Sequence, residues 1–286
     1  MSIDIAVVGS CNLDLVVNVE NIPQVGQTVL GGDLQQIPGG KGANQAVAAS
    51  RLGKSVAMVG RVGDDENGTF LQKSLEENGV STEHLLRATN VPTGVALIAV
   101  QSDGNNSIVV SPGANSELTP EDVMAIDLIL EAKVVLLQAE IPLETVVAAA
   151  RSAKGTIIWN PAPVPEENIP LELLDLVDVL IPNQSELELL VGTETAGSIE
   201  RIVEKAKTLP CSSTIVTLGG QGAVVVANNK AVHIPAPEIS PVDTTAAGDS
   251  FCAAIATSLV EDKDLVEAAQ WAVQVGSATT LVAGAQ

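Results

Sequence analysis

The sequence predicts an α/β fold: a doubly wound, mostly parallel sheet flanked by helices, with a small antiparallel β lid. Short apolar runs alternate along the chain with segments of helical spacing, which is typical of parallel strands joined by crossover helices. Two other stretches, at about 13–37 and 94–110, alternate apolar and polar residues, as strands of a half-exposed sheet do. We therefore expect a single α/β domain over residues 1–286, with these two stretches inserted as the lid.

The apolar runs are the expected strands of the main sheet, and the expected helices lie between and after them. The predicted strands are residues 3–9, 56–60, 134–138, 156–159, 177–181 and 214–218. The predicted helices are residues 43–52, 70–78, 143–153, 185–191, 198–209, 245–260 and 265 to about 282. Residues 103–106, Asp-Gly-Asn-Asn, are expected to form a hairpin turn between two lid strands.

Composition excludes several classes of protein. Hydrophobic residues make up 46% of the chain and charged residues 17%, which disfavours disorder, and no apolar run reaches the roughly 18 residues of a membrane span. A net charge of -21 disfavours contact with nucleic acid or an anionic membrane, because both require a basic patch. The N-terminus lacks signal-peptide features and the three cysteines lack metal-ligand spacing, so we expect a cytoplasmic protein with buried, unpaired cysteines.

Two glycine-containing segments resemble nucleotide-binding loops without completing either pattern. Gly53-Lys54-Ser55 resembles the end of a Walker A loop, but Ala48 stands where the first glycine belongs, so we expect a helix-to-strand turn there. Residues 40–42, Gly-Lys-Gly, open like a dinucleotide fingerprint but lack its last glycine and do not follow the first strand. A dehydrogenase is therefore disfavoured.

Small residues precede a strongly apolar predicted helix in the segment 243–251, Asp-Thr-Thr-Ala-Ala-Gly-Asp-Ser-Phe. Free amides at Ala246, Ala247 and Gly248, at the positive end of the helix dipole, suit a transferring phosphoryl group. Asp249, in the first turn, can point into the same space. Taken alone, the segment fits an ordinary helix cap by Thr or Asp equally well.

A second glycine-rich helix start lies at 38–46, Pro-Gly-Gly-Lys-Gly-Ala-Asn-Gln-Ala. Asn44 can both donate and accept hydrogen bonds, which suits sugar hydroxyls, and Asn12 and Asp14 offer the same chemistry just after the first strand. The alternative is that Asn44 lies on a helix surface and that Asn12 and Asp14 are turn residues.

These two segments, in this order and at this separation, resemble the signatures of the ribokinase family of carbohydrate kinases, over essentially the full chain. Residues 183–186, Asn-Gln-Ser-Glu, are similar to that family's Asn-x-x-Glu motif, and residues 217–222 to its nucleotide-side glycine turn. The resemblance implies ATP-dependent phosphorylation of D-ribose at the 5-hydroxyl. A kinase of the same fold acting on deoxyribose, fructose or adenosine, or a non-catalytic sugar-binding protein, remains the alternative.

The resemblance also implies roles for individual residues. Asp249 would accept the hydroxyl proton, while the amides of Ala246, Ala247 and Gly248 would bind the γ-phosphate. The residues implied to bind the sugar are Asn12, Asp14, Gly40, Lys41, Asn44, Glu140 and Asp249. The residues implied to bind the nucleotide are Thr217, Gly219, Gly220, Gly222 and Gly248, with Asn183 and Glu186 holding Mg²⁺ through water.

A monovalent cation, K⁺ or a similar ion, is implied as an activator. Its implied ligands are Asp243, the carbonyl of Thr245 and carbonyls near Thr279, Val282 and Gly284. The family supplies one more ligand beyond the position of Gln286, so we expect this cation site to be incomplete. Val273 stands where the family often has an Asn beside the adenine, which leaves the adenine contacts open. Clasping of lids between two subunits is also implied, so we expect a homodimer.

Overall fold

The computed structural model describes residues 3–101, 105–195, 197–282 and 284. The strands, in chain order, are β1 (Ile5–Val8), β2 (Asn12–Val19), β3 (Gln35–Gly39), β4 (Val56–Gly63), β5 (Ser81–Ala88), β6 (Gly94–Gln101), β7 (Asn106–Ser111), β8 (Val134–Leu137), β9 (Thr156–Trp159), β10 (Val179–Leu180), β11 (Ser213–Thr217), β12 (Ala223–Ala227) and β13 (Lys230–Ile234). The α-helices are α1 (Lys41–Arg51), α2 (Glu66–Glu77), α3 (Pro120–Met124), α4 (Asp127–Glu131), α5 (Leu143–Ser152), α6 (Leu171–Leu176), α7 (Gln184–Val191), α8 (Ile199–Ala206), α9 (Ala247–Val260) and α10 (Leu265–Thr279).

The main sheet has nine strands in the order β13-β12-β11-β10-β9-β8-β1-β4-β5. Its pairs are parallel from β5 to β11, and only β12 and β13 run antiparallel to their neighbours. At the centre, Ile5 of β1 stands in register with Val56 on one side and Val134 on the other. These strands are covered on both faces, which explains their continuous apolar sequences. The predicted doubly wound fold is confirmed.

The lid is a separate four-stranded sheet in the order β3-β2-β6-β7. Its outer pairs are antiparallel, but β2 and β6 are parallel, with Asn12 opposite Gly94. A parallel pair is possible here because α1, β4, α2 and β5 separate β2 from β6, so no tight turn joins them. At the end of the antiparallel pair β6–β7, where the hairpin turn was predicted, the Gln101 amide donates to the Asn105 carbonyl at 2.8 Å. Residues 103 and 104 of the predicted turn lie outside the described residues.

A small apolar cluster packs α7 and α8 against β11 and β12, and two larger clusters fill the rest of the space between the main sheet and its helices. One joins β1 and β4 to α1, α9 and α10, and includes Val7, Ala46 and Ile255, all with no exposed surface. The other joins β8 and β9 to α3–α6, and includes Trp159. Each fully buried Leu, Ile or Val side chain stabilises the fold by about 1.5–3 kcal/mol. None of the helices in the described part of the chain is long and apolar enough to cross a bilayer.

Several element ends differ from the sequence-based expectation. Helix α9 begins at Ala247 instead of residue 245, because Thr245 donates its amide and hydroxyl to Asp243 and Ala246 adopts a left-handed conformation. Helix α10 ends at Thr279. The Gly53-Lys54-Ser55 segment is the turn from α1 into β4, with Gly53 at φ +89°, so the helix-to-strand interpretation is confirmed.

Candidate active site

Polar side chains gather at the carboxyl edge of the main sheet, where ligands of open α/β sheets bind. Asn12 follows β1, Glu140 follows β8, and Asn183 follows β10. The N-termini of α1 and α9 lie at the same edge, because these two helices pack against each other beside β1. The fold thus brings together segments that are far apart in the sequence.

Asp249 is buried in the first turn of α9, with 7% of its surface exposed. The Asn44 amide nitrogen donates to its Oδ2 at 3.1 Å, and the Gln45 amide nitrogen donates to its Oδ1 at 3.1 Å. Burial raises the pKa of this carboxyl, although the Lys41 charge and the two amide donors oppose the rise. Asp249 is therefore a fixed carboxylate of increased basicity.

Lys41 lies within a group of carboxylates. Burial by itself lowers the pKa of its ammonium, but the charges of Asp249, Glu140 and Glu186 outweigh burial and raise that pKa. The Glu140 Oε2 also accepts the Lys41 amide at 3.0 Å and, from the preceding loop, the Ser10 hydroxyl at 2.5 Å. Lys41 is thus held as a cation among anions at the base of the site.

Asp14, on the lid strand β2, faces the same group of charges. Burial, followed by repulsion from Glu140 and Asp249, raises its pKa to about 7. Its carboxylate lies against the backbone of Gly39, where an added Cβ would stand 2.2 Å from Oδ2. The predicted sugar-binding residues on β2, α1 and the loop after β8 are therefore brought into one polar cluster.

Gly40 connects β3 to α1 in a conformation that favours glycine, φ +90°. A Cβ at this position would lie 2.7 Å from the amide nitrogen of Asn12. Close approach of the two backbones places Asn12 and the start of α1 side by side. The glycine at position 40 is thus required by geometry.

A cleft of about 550 Å³ opens next to the polar cluster. The predicted nucleotide residues Thr217, Gly219, Gly220, Gly222 and Gly248 all line it, together with Ala247 and Val273. The turn 217–222 also joins the antiparallel pair β11–β12, so it is a hairpin connection as well as a cleft wall. Residues that the sequence analysis did not assign to this cleft are Ala236, Pro237, Glu238, Ile239, Pro241, Thr244, Phe251, Gly276, Ser277 and Thr280.

The N-terminus of α9 separates the cleft from the polar cluster. Ala246 caps this helix at φ +56°, and the amide of the first helical residue, Ala247, donates to the Thr244 carbonyl at 3.3 Å. At Gly248 an added Cβ would meet no atom within 4 Å, so the helix start is open on that side. Gly248 lines the cleft and the next residue, Asp249, contacts the cluster.

Asn183 and Glu186 form a capping box at the start of α7. The Asn183 Oδ1 accepts the Glu186 amide at 2.8 Å, and the Glu186 Oε2 accepts the Asn183 amide at 2.7 Å. These two residues therefore act as a helix cap in the structure. Burial raises the pKa of Glu186 despite the Asn183 amide and the nearby Lys41. The Glu186 carboxylate therefore belongs to the helix cap and also lies close to the charges of Lys41 and Asp249.

The residues expected to bind a monovalent cation lie in two adjoining places. Asp243 accepts the Thr245 amide at 2.9 Å and hydroxyl at 2.6 Å on Oδ1, and the Gly284 amide at 3.0 Å on Oδ2. Burial by itself raises the pKa of Asp243, but these three donors outweigh it and lower that pKa. Thr279, Val282 and Gly284 line a second cavity of about 290 Å³. Gly284 joins the two places.

A model of the pfkB family of carbohydrate kinases matches residues 2–286. The chain belongs to this family. The kinase is 42% identical over 287 residues to the ribokinase of Bacillus subtilis (strain 168), covering 99% of this chain and 94% of the relative. It is 35% identical over 276 residues to the deoxyribokinase of Salmonella typhi, covering 94% of this chain and 90% of the relative. The structure of Arabidopsis thaliana ribokinase complexed with ribose and ATP superposes with a TM-score of 0.89 at 34% identity. The superposition covers 99% of this chain and 94% of the Arabidopsis chain.

In the polar cluster of this carbohydrate kinase, Asn115 and Gln45 were not predicted from the sequence. Asn115, in a short 3₁₀ helix after β7, donates to Asn12 Oδ1 at 2.8 Å and accepts the Cys11 amide at 2.9 Å. Gln45 contacts Asp249 and has no exposed surface. For Gln45 a signal existed: it lies within the 38–46 motif, directly after Asn44. For Asn115 no signal existed.

Proposed function

We propose that this kinase transfers the γ-phosphoryl group of ATP to the 5-hydroxyl of D-ribose, giving ribose 5-phosphate and ADP. The main support is the position of buried Asp249 between a polar cluster and a cleft of about 550 Å³ lined by the glycine turn 217–222. The identity to a ribokinase and the likeness to a ribokinase complexed with ribose and ATP support the choice of sugar and donor.

The polar cluster supplies the groups that a pentose needs. Asn12, Asp14, Lys41, Asn44 and Glu140 present donors and acceptors in a partly desolvated site, and hydroxyl groups can satisfy both kinds. Buried polar groups bind hydroxyls selectively, because a ligand without the matching hydroxyl leaves them unpaired. We assign these side chains, with the backbone at Gly40, to binding of the sugar.

Asp249 is the proposed general base. As the 5-oxygen forms its bond to the γ-phosphorus, the hydroxyl proton moves to the Asp249 carboxylate and the bond from phosphorus to the bridging oxygen breaks, releasing ADP. Burial raises the pKa of Asp249, which strengthens it as a base. A positioned base contributes about 10²–10⁴-fold in rate.

The amides of Ala246, Ala247 and Gly248 are proposed to bind the γ-phosphate. The chain has 14 Lys and Arg residues against 35 Asp and Glu, so positive potential at the site must come largely from Lys41 and from helix N-termini. Backbone donors are fixed by the fold and need no reorganisation as charge develops.

The residues present fit the ions that the family implies. Mg²⁺ bound with the nucleotide would supply neutralisation of phosphate charge. Glu186 would hold it through water, because only its Oε2 is engaged in the capping box, and Asn183 lies beside it. For a monovalent cation, Asp243 stays ionised at neutral pH, and the carbonyl of Thr245 and the backbone near Thr279, Val282 and Gly284 lie close by.

A coupled assay of ADP release tests the proposed reaction. Ribose, deoxyribose, fructose and adenosine are each offered with ATP and Mg²⁺, with and without K⁺. We expect the highest kcat/KM with ribose, one ADP per sugar phosphate, and a higher rate with K⁺. Absence of sugar-dependent ADP would overturn the proposal, and a higher kcat/KM with deoxyribose would assign the activity of the Salmonella typhi relative instead.

We also propose that the active form is a homodimer joined through the lids. Leu97 and Val109, which pair across β6 and β7 and so share one face of the lid sheet, expose 52% and 62% of their surfaces. A second lid would cover this apolar face, and such patches mark interaction surfaces in soluble proteins. The cytoplasmic location stays a prediction from the sequence.

A further inference from the structure

We propose that Gln45 is a positioning residue that fixes the carboxylate of Asp249 through a buried chain of side-chain amides. The inference rests on the proposed role of Asp249 as the base. Gln45 donates from Nε2 to Asp249 Oδ1 at 3.1 Å, and neither residue lies close to the other in sequence, since 204 positions separate them. No part of the Gln45 side chain reaches the surface.

The orientation of the Gln45 amide is determined by its neighbours. The Asn160 Nδ2 donates to the backbone carbonyl of Ile181 at 2.8 Å, so its Oδ1 faces Gln45 and accepts Nε2 at 3.3 Å. On the other side, Gln138 Nε2 donates to Gln45 Oε1 at 2.7 Å. Both amide hydrogens of Gln45 are thereby used, one on Asn160 and one on Asp249. A flipped amide would place like groups together at every contact.

Gln138 shows that this chain of amides does not serve stability alone. The residue follows β8 in the core, has no exposed surface, and its Oε1 has no hydrogen-bond partner among the described residues. A buried polar atom without a partner destabilises the folded state, whereas an apolar side chain of similar volume would not. The retained amide donates to Gln45, and this contact orients the donor toward Asp249.

The donor matters because Asp249 lies among several charges. Lys41, at the start of α1, stabilises the ionised form of Asp249. Three carboxylates destabilise that form: Glu140 after β8, Asp14 on β2 and Glu186 on α7. The Cys252 thiol lies on the same helix as Asp249. Asn44, itself a predicted sugar-binding residue, donates its amide to Oδ2 of Asp249. With Gln45 on Oδ1, the carboxylate keeps one orientation, and the donated hydrogen bond favours its ionised form.

Steady-state kinetics of Gln45→Met test the inference, because methionine keeps the length of the side chain and removes the donor. We expect kcat to fall about 10- to 100-fold, the loss typical of a hydrogen bond to a charged group. The KM values for ribose and ATP should change by less than about two-fold, since Gln45 has no exposed surface that a ligand could contact. The acidic limb of the kcat–pH profile should move to higher pH, because loss of the donor raises the pKa of Asp249.

Thr145→Val is the matched control. Thr145 is equally buried on α5 and donates to the Leu118 carbonyl at 2.6 Å, away from the site. We expect Thr145→Val to lower the thermal midpoint without changing kcat or the pH profile. Equal losses of kcat in the two variants would show a general structural effect and overturn the inference.

Two further variants separate this inference from the proposed function. Asp249→Asn should lower kcat by about 10²–10⁴-fold; if it does and Gln45→Met keeps the parent kcat, only the positioning role is wrong. If Asp249→Asn stays active, the proposed base is wrong instead, and the positioning role falls with it. Gln138→Leu leaves Gln45 in place but removes its orienting donor, so kcat should fall about 3- to 10-fold. This variant provides the decisive result if Gln45→Met does not fold, and an unchanged kcat in it would overturn the inference.

Discussion

Asp249 and Asp14 are both carboxyls of the site, but they differ in the neighbours that affect their pKa values. Burial raises the pKa of both Asp249 and Asp14, but Asp249 accepts two amide hydrogen bonds, whereas the neighbours that affect the pKa of Asp14 are the anions Glu140 and Asp249. The pKa of Asp14 is about 7, so this carboxyl changes its charge near neutral pH. A residue assigned to the sugar therefore also links folding stability to pH.

Asp14→Asn should reveal that link. Between the ordinary pKa of 3.8 and the folded value of about 7, the folded protein binds more protons at Asp14 than the unfolded chain does. The free energy of unfolding of the parent should therefore fall, relative to that of Asp14→Asn, as pH rises from 5 to 8. Urea unfolding of both proteins at several pH values measures this difference. A difference that stays constant across this range would contradict the assigned environment of Asp14.

The hairpin from β11 to β12 shows how one element serves both fold and site. Its register pairs Thr217 with Ala223, and its glycines form the wall of the cleft. Gly222 takes φ +91°, and an added Cβ would stand 1.9 Å from the Ile234 carbonyl oxygen. Gly220 lacks both constraints, since nothing lies within 4 Å of its added Cβ.

Gly222→Ala should therefore destabilise the protein by about 1–3 kcal/mol, through strain at a left-handed residue and displacement of β13. It should also raise the KM for ATP, because the turn lines the cleft. Gly220→Ala is the matched control and should change the free energy of unfolding by less than about 0.5 kcal/mol. Chemical denaturation of the two variants measures the effect, and equal stability would contradict this account of the turn.

Sequence patterns predicted the parallel strands at the centre of the main sheet and missed β5, β12 and β13 at its two ends. The apolar runs at β1, β8 and β9 correspond closely to strands, because parallel strands in the centre must be apolar throughout. Strand β5, Ser-Thr-Glu-His-Leu-Leu-Arg-Ala, was not predicted, because an edge strand is partly exposed and its composition is mixed. The parallel pairing of β2 with β6 depends on contacts between distant segments, which periodicity does not record.

For the site, the motifs identified side chains but not their partners. Asp249, Asn44 and Lys41 were predicted from short segments and stay predictions in their chemical roles, although the fold brings them together. Gln45 and Asn115 were missed because their importance depends on hydrogen bonds across 204 and 103 positions. Short motifs contain no information about such distances.

At the scale of the whole molecule, the lid links the site to assembly. We propose that both sheets belong to one domain, because β2 begins at Asn12 inside the polar cluster and α1 starts directly after β3. The lid therefore has one side on the site, while its strand β7 is exposed along its full length. In the proposed dimer, this arrangement would couple coverage of the sugar to coverage by a second subunit.

Val109→Glu tests the proposed dimer. Val109 exposes 62% of its surface on β7, and a buried, unpaired carboxylate there would oppose lid contact. Light scattering after size exclusion should give a dimer mass for the parent and a monomer mass for this variant. Leu171→Glu, at a 71% exposed position on α6, should leave the mass unchanged. A monomeric parent, or a dimeric Val109→Glu, would contradict the lid interface.

Asp249 is the proposed base, and the turnover of Asp249→Asn with ribose and ATP tests that role. Asparagine has nearly the same volume and does not accept the hydroxyl proton as a base. Asp262→Asn, at an exposed position after α9, serves as the matched control. We predict that kcat falls by about 10²–10⁴-fold in Asp249→Asn while ribose binding, measured by calorimetry, persists, and that the control keeps the parent rate. A kcat within about two-fold of the parent would contradict the assignment of Asp249 as the base.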